Sequence, residues 1–136
     1  MGKRTGSEIE GYVYDLLRNS TLATGLTGSV YRQGYRPPDS RLEDAIVIYT
    51  AGVPSDVQKA IVTINIYVAN IDAGAAGISE KNGARCGALE LAAARWVEGL
   101  RKTGFRFELN DVIHTTEAPE INQHFVVVSL LLKFTE

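Results

Sequence analysis

The sequence predicts an α+β fold: two amphipathic helices packed on one face of a mainly antiparallel sheet, in the order α-β-β-β-α-β-β. Three observations carry this. Residues 7–18 and 85–102 space their apolar side chains with the helical period. Residues 57–68 alternate with the strand period, Ala60, Val62, Ile64, Ile66 and Val68 on one side and Lys59, Ile61, Thr63, Asn65 and Tyr67 on the other. The stretch 124–134, HFVVVSLLLKF, is apolar on both sides. Val126, Val128, Leu130, Leu132 and Phe134 make one unbroken row, and Phe125, Val127 and Leu131 interleave with Ser129 and Lys133 on the other. A strand with one face in water alternates apolar and polar. This one therefore reads as a central strand, one face under the helices and the other covered by something else, such as another subunit.

A chain of 136 residues fits one domain, 1–136, with a core that needs no disulfide. Forty-five per cent apolar and 22% charged residues are ordinary globular proportions, and a formal charge of −2 argues against nucleic acid as a default partner. The single cysteine, Cys86, has no internal partner and suits a reducing cytoplasm. The basic N-terminus lacks the apolar run of a signal peptide, and no segment has the roughly 20 apolar residues that span a bilayer.

The first helix, 7–18, opens on a capping box between Ser7 and Glu10 and carries Ile9, Tyr12, Val13, Leu16 and Leu17 on one face. Residues 1–6 before it read as flexible, and 19–28 as an exit loop. Residues 29–36 (SVYRQGYR) read as a strand stopped by Pro37 and Pro38, which lack backbone donors. Residues 45–50 form a short strand, 51–56 a turn on Gly52 and Pro54, and 57–68 the strand that pairs back with 45–50 in a hairpin. Residues 70–83, rich in Gly and Ala, read as a mobile loop. The second helix, 85–102, places Leu89, Ala92, Ala93, Trp96, Val97 and Leu100 on one face, with Gly104 as its stop. Phe105, Phe107 and Leu109 then alternate with Arg106, Glu108 and Asn110 in a strand, and a polar turn over 118–123 leads into the central strand.

No constellation in the chain carries a reaction. His114 and His124 flank the last turn without the third ligand or nucleophile that metal or acid–base chemistry needs. Cys86 near a helix start is ordinarily a small buried hydrophobe. The glycine-rich 74–83 segment lacks the G-K-[ST] ending of a phosphate loop. Glu117 and Glu120 sit in the setting of a solvated turn. These readings assign no catalytic residue, metal ligand or cofactor. The segment Tyr31, Arg32, Gln33, Gly34, Tyr35, Arg36 alternates aromatic and basic side chains, which suits either single-stranded nucleic acid or a protein interface. The acidic balance of the chain favours the interface. The candidate interface residues are Tyr31, Arg32, Tyr35, Arg36, Phe125, Val127 and Leu131.

The same landmarks resemble, in order and over almost the whole length, the small tail-completion or tail-terminator proteins of long-tailed bacteriophages. They are a first helix SEIEGYVYDLL, a strand led by Gly28-Ser29-Val30-Tyr31, the prolines after Arg36, the strands 45–50 and 57–68, an Ala/Leu-rich helix over 84–100, and a closing hairpin ending HFVVVSLLLKFTE. The likeness is one of pattern, without a fixed signature; the polar 70–83 insertion and Cys86 depart from it. It implies a non-enzymatic structural protein of the virion tail or neck, assembled in the bacterial cytoplasm. Such a protein forms a homo-oligomeric ring, commonly of six subunits, that caps the head-proximal end of the tail tube, ends its polymerisation and joins head or connector proteins. The resemblance implies no membrane partner and no specific nucleic acid. The Tyr31–Arg36 segment and residues 72–83 are the expected contact segments. Another neck or head–tail connector component, and a small nucleic-acid-binding module, are the alternative readings.

Overall fold

A computed structural model describes residues 3–72 and 79–135 of the chain. Chain order is α1 (Gly6–Arg18), α2 (Thr21–Thr24), β1 (Val30–Arg32), β2 (Ala45–Val53), β3 (Lys59–Ala69), β4 (Ile71–Asp72) and β5 (Ser79–Glu80). Then follow α3 (Gly83–Glu98), β6 (Phe105–Leu109), β7 (His114–Ala118), a 3-10 turn (Pro119–Ile121) and β8 (Gln123–Phe134). The architecture is α+β, as the sequence predicts. The main sheet runs β1-β2-β3-β8, and β6 and β7 both pair with the far edge of β8. All pairings are antiparallel except β1 with β2.

The strand 124–134 is central, for a visible reason. On one side β3 pairs with it from Lys59↔Lys133 to Ala69↔Gln123 without a break. On the other, β6 takes residues 130–134 and β7 takes residues 123–127, and between them the Asn110 N–H donates to Ser129 O at 2.8 Å. Backbone hydrogen bonds thus use both edges, and of the strand's two faces one lies under the helices and the other on the outer side of the sheet.

The helical layer lies over one face. Ile9, Val13 and Leu17 of α1 and Cys86, Leu89, Ala93 and Val97 of α3 are buried against Val62, Ile64, Ile66, Val126, Val128, Leu130 and Leu132. Each large aliphatic side chain so buried contributes about 1.5–3 kcal/mol. Trp96 packs on this core from its margin, half-buried.

Several local expectations shift. The capping box is Thr5/Glu8 rather than Ser7/Glu10: Thr5 Oγ1 accepts from the Glu8 N–H at 3.3 Å and Glu8 Oε1 from the Thr5 N–H at 2.9 Å. Thr-x-x-Glu meets the same requirement two residues earlier, and the apolar face is unchanged. Residues 3–5 are accordingly tied down, with Lys3 Nζ donating to Ser55 O and the Arg4 N–H to Gln58 Oε1. The segment 29–36 shrinks to Val30–Arg32, because the Tyr35 N–H turns back to Arg32 O and Gly34 takes φ +94°, a conformation that favours glycine. The exit loop holds the short helix Thr21–Thr24, capped by Ser20.

The second helix starts at Gly83 under an Asn82 cap and ends at Gly99, not at Gly104. Gly104, at φ +87°, instead turns the chain into β6. Residues 71–72 and 79–80 pair as a small ladder within the expected 70–83 loop, and residues 73–78 of that loop lie outside the described residues. His114 pairs with Val127 and His124 with Glu117, which places the histidines on opposite faces of the sheet, not facing each other.

Because Leu130 is fully buried under the helices, Leu130→Ala should cost about 2–5 kcal/mol. Urea denaturation should show a lower midpoint with the slope unchanged.

Candidate functional site

The face of the sheet turned away from the helices is the surface of interest. Strand register defines it row by row. Ile46, Asn65 and Val127 lie in one row, Thr63 beside Ser129 in the next, and Ile61 beside Leu131 in the next. No helix packs there, and these side chains are neither buried nor fully exposed. At one corner Ala51, Gly52, Val53, Ile61 and Leu131 line an apolar hollow of about 150 Å³ with Lys59 and Ala60. Through the middle runs a hydroxyl row: Thr50 Oγ1 lies 2.7 Å from Thr63 Oγ1, and Asn110 Nδ2 donates to Ser129 Oγ at 3.1 Å. Asn65 Oδ1 is buried and has no hydrogen-bond partner among the described residues. An acceptor left so costs about 1–3 kcal/mol.

One end of the face is covered, and the cover comes from the chain itself. Arg36 lies over the Tyr67 ring at 4.1 Å from its centroid. Its Nε donates to Asp44 Oδ2 at 2.9 Å, and its Nη2 donates to Gln123 Oε1 at 2.9 Å and to Ser40 O at 3.2 Å. Gln123 Nε2 in turn donates to Ser40 O at 2.8 Å. The Arg36 and Asp44 side chains are only 10% and 1% exposed. Asp44 Oδ1 accepts the Ser29 N–H at 3.0 Å, which fixes the entry to β1. Gly28 is required beside it: a Cβ there would stand 2.0 Å from Asp44 Oδ1 and 2.8 Å from Glu43 O.

The candidate interface residues separate into groups. Val127 and Leu131 lie on the uncovered part of the outer face. Phe125 packs on Tyr67, ring centroids 5.1 Å apart, next to the Arg36 cover. Arg32 is drawn to the helical layer, with Nε 3.0 Å from Glu10 Oε1 and Nη2 donating to Ser7 O at 2.7 Å. Tyr31 and Tyr35 line the β1 edge with Tyr14, Val30 and Arg32, and Tyr35 is 75% exposed. The aromatic–basic alternation of 31–36 therefore does not form one stripe. Its two arginines are committed to carboxylates in different layers. Ile46, Ile61, Asn65 and the Asp44–Gln123 network belong to the surface and were not singled out from sequence as interface. The odd residues of 57–68 were legible as a mixed face; the loop that crosses it was not.

Burial pushes the Cys86 thiol up, with Lys81 opposing only in part, so this side chain is no activated nucleophile. Among the described residues no group of three His, Cys, Asp or Glu side chains is placed to hold a metal ion. No described helix is long and apolar enough to cross a membrane.

No protein-family model matches the chain, and no curated protein matches it in sequence. A solved structure of 19% identity aligns over 96% of this chain and 92% of its own, at a TM-score of 0.45. A likeness that distant carries no argument about function.

The network sets a pH dependence. Burial alone would raise the Asp44 carboxyl, but hydrogen bonds from Ser40, the Ser29 N–H and Arg36 outweigh it and hold it below the usual carboxylate range. Glu43 is lowered as well, chiefly by Arg85, whose Nε lies 2.7 Å from it. A carboxyl depressed in the folded state stabilises above its unfolded value, about pH 4, and that contribution fades as pH falls through the folded value. Urea midpoints measured from pH 7 to pH 2 should therefore fall in the acid range. Asp44→Asn should be less stable at pH 7 and flatter below pH 4, and Asp44→Ala should cost on the order of 3–5 kcal/mol.

Proposed function

We propose that this chain is a structural subunit of a phage or prophage tail. In this reading it is one copy of a homo-oligomeric ring that caps the head-proximal end of the tail tube, ends polymerisation and joins the tail to the head. The observation that supports assembly is the outer sheet face. Ile46, Ile61, Val127 and Leu131, half-buried on either side of a hydroxyl row, are apolar side chains that the chain's own cover, at Tyr67 and Gln123, leaves open. An apolar face of this kind is a signature of an interaction surface. The placement on a phage tail rests on the order of elements and their sequence pattern. Another neck or connector component would need the same surface and is the nearest alternative.

A nucleic-acid-binding module is less well supported. Its proposed stripe would need Arg32 and Arg36 free for phosphates, and they are paired with Glu10 and Asp44. An enzyme would need a concave site with convergent reactive groups, and the outer face offers hydroxyls and aliphatic side chains.

Light scattering over a concentration series tests the assembly reading. A species of several chains that survives dilution and high salt is expected, because apolar contacts do not weaken with ionic strength. Val127→Glu with Leu131→Glu should reduce it to single chains while the circular dichroism spectrum is kept. A wild-type protein that stays a single chain up to millimolar concentration would overturn self-assembly through this face.

A further inference from the structure

The main sheet ends in β1 on one side and β6 on the other, and the two edges differ. β1 is three residues long, and the Tyr35 N–H turns back to take Arg32 O. β6 stays open along most of its length. The Thr135 N–H donates to Gly104 O at 2.9 Å and the Asn110 N–H to Ser129 O at 2.8 Å, so the even residues of this strand bond to β8. Backbone direction alternates along an antiparallel strand, which turns the N–H and C=O groups of Phe107 and Leu109 outward. At the start of the strand the Phe105 N–H donates to Lys102 O at 3.1 Å, and Lys102 pairs with Phe105 as an isolated bridge. That bridge begins a further strand along β6 and stops after one residue. Residues 105–109 hold no proline and pair with β8 without a bulge, so two of the usual protections of an edge are missing.

A hollow of about 400 Å³ opens beside this edge. Its cations are Arg101, Lys102 and Arg106, its apolar wall is Phe105 and Phe107, and no carboxylate lines it. All three cations are exposed, and among the described residues none lies within ion-pair distance of a carboxylate. Glu108, the acidic residue of β6, is closed on Lys133 at 2.9 Å. Arg101 is held in place by its Nη1, which donates to Glu98 O at 3.0 Å and to Leu100 O at 2.6 Å. Past the hollow the edge turns apolar, with Leu109 44% and Val112 77% exposed.

We propose that the β6 edge binds an extended acidic peptide of another protein, added to the sheet as a further strand. In such a complex main-chain hydrogen bonds supply affinity and alternate side chains supply specificity. The outward donors and acceptors of Phe107 and Leu109 match a peptide backbone and have no counterpart in a nucleic acid or a small anion. Three cations without a carboxylate select Asp or Glu where the added strand passes the hollow, and a basic segment would meet like charge there. Beyond it, Leu109 and Val112 favour apolar side chains. The site lies at the sheet edge, apart from Val127 and Leu131, and does not depend on assembly through the outer face.

The test is NMR titration of the full chain with two short blocked peptides that alternate valine and threonine. One carries a pair of aspartates at its amino end and the other at its carboxyl end, which covers both strand directions. At least one should bind with a Kd below about 1 mM, and the Phe107 and Leu109 amides should gain protection from hydrogen exchange. Lysines in place of the aspartates should weaken binding at least about tenfold, and so should Lys102→Glu with Arg106→Glu. Should that variant not fold, the lysine peptides carry the charge test alone. Methylating alternate peptide nitrogens should abolish binding in one frame and spare it in the other, because only one set of N–H groups faces β6. No binding by either peptide, binding without protection of Phe107 and Leu109, or indifference to methylation would overturn strand addition. Equal binding of the lysine peptides would overturn selection by charge. Peptide displaced by raising the concentration of the chain itself would give the edge to a second copy instead. A single-stranded DNA oligonucleotide that binds there more tightly than the peptides would overturn the proposal in favour of a polyanion.

Discussion

β3 and β8 face each other residue for residue from Lys59↔Lys133 to Ala69↔Gln123, and the rest of the molecule is placed by that pairing. Side chains alternate along a strand, so the register decides in one step which residues the helices cover and which they do not. Ile64 beside Val128 and Val62 beside Leu130 belong to the helical layer; Asn65 beside Val127 and Ile61 beside Leu131 do not. A slip of one residue would bury Lys59, Thr63 and Asn65 under α1 and α3. The penalty for that is what keeps the register, and with it the outer face, in one state. The same pairing brings Lys59, Lys133 and Arg106 side by side across three strands.

The polar network around Arg36 acts as the second constraint. It folds the segment between β1 and β2 back over the sheet, stacking on Tyr67 and reaching Gln123. Arg36 Nε and Nη2, both Asp44 oxygens and the Gln123 amide find partners in it, which is what makes a nearly buried Arg–Asp pair tolerable. By closing one end of the outer face it also limits the open apolar surface to the part around Ile61, Val127 and Leu131. The open apolar surface is therefore smaller than strand patterning alone suggests.

Some local features were legible because their causes are local. The helices at Ile9–Leu17 and Leu89–Leu100 follow from spacing, and the β2–β3 hairpin from two apolar runs around Gly52 and Pro54. Boundaries were less so. Thr5 and Ser7 both offer a cap with an acidic residue three positions on, and only packing of the first turn chooses between them. Gly99 and Gly104 are both plausible helix stops, and the helix ended at the nearer one because its carbonyls Arg95, Trp96 and Val97 accept the Gly99 N–H. The Tyr/Arg alternation does not become one stripe, for a long-range reason. Arg32 and Arg36 find Glu10 and Asp44, carboxylates distant in chain or hidden in a loop, and nothing in residues 31–36 announces them.

By itself the sequence determined the α+β class, the central position of the last strand, the buried row Val126 to Phe134, and the presence of a second, largely apolar face. These follow from periodicity and composition, which act over a few residues. Tertiary structure alone decided what lies over that second face and how charge is distributed along it. The cover depends on a contact between Arg36 and Gln123, and the basic row on Lys59, Arg106 and Lys133 meeting across three strands. Residues so far apart in the chain become neighbours only when the sheet forms, so no local pattern records their meeting.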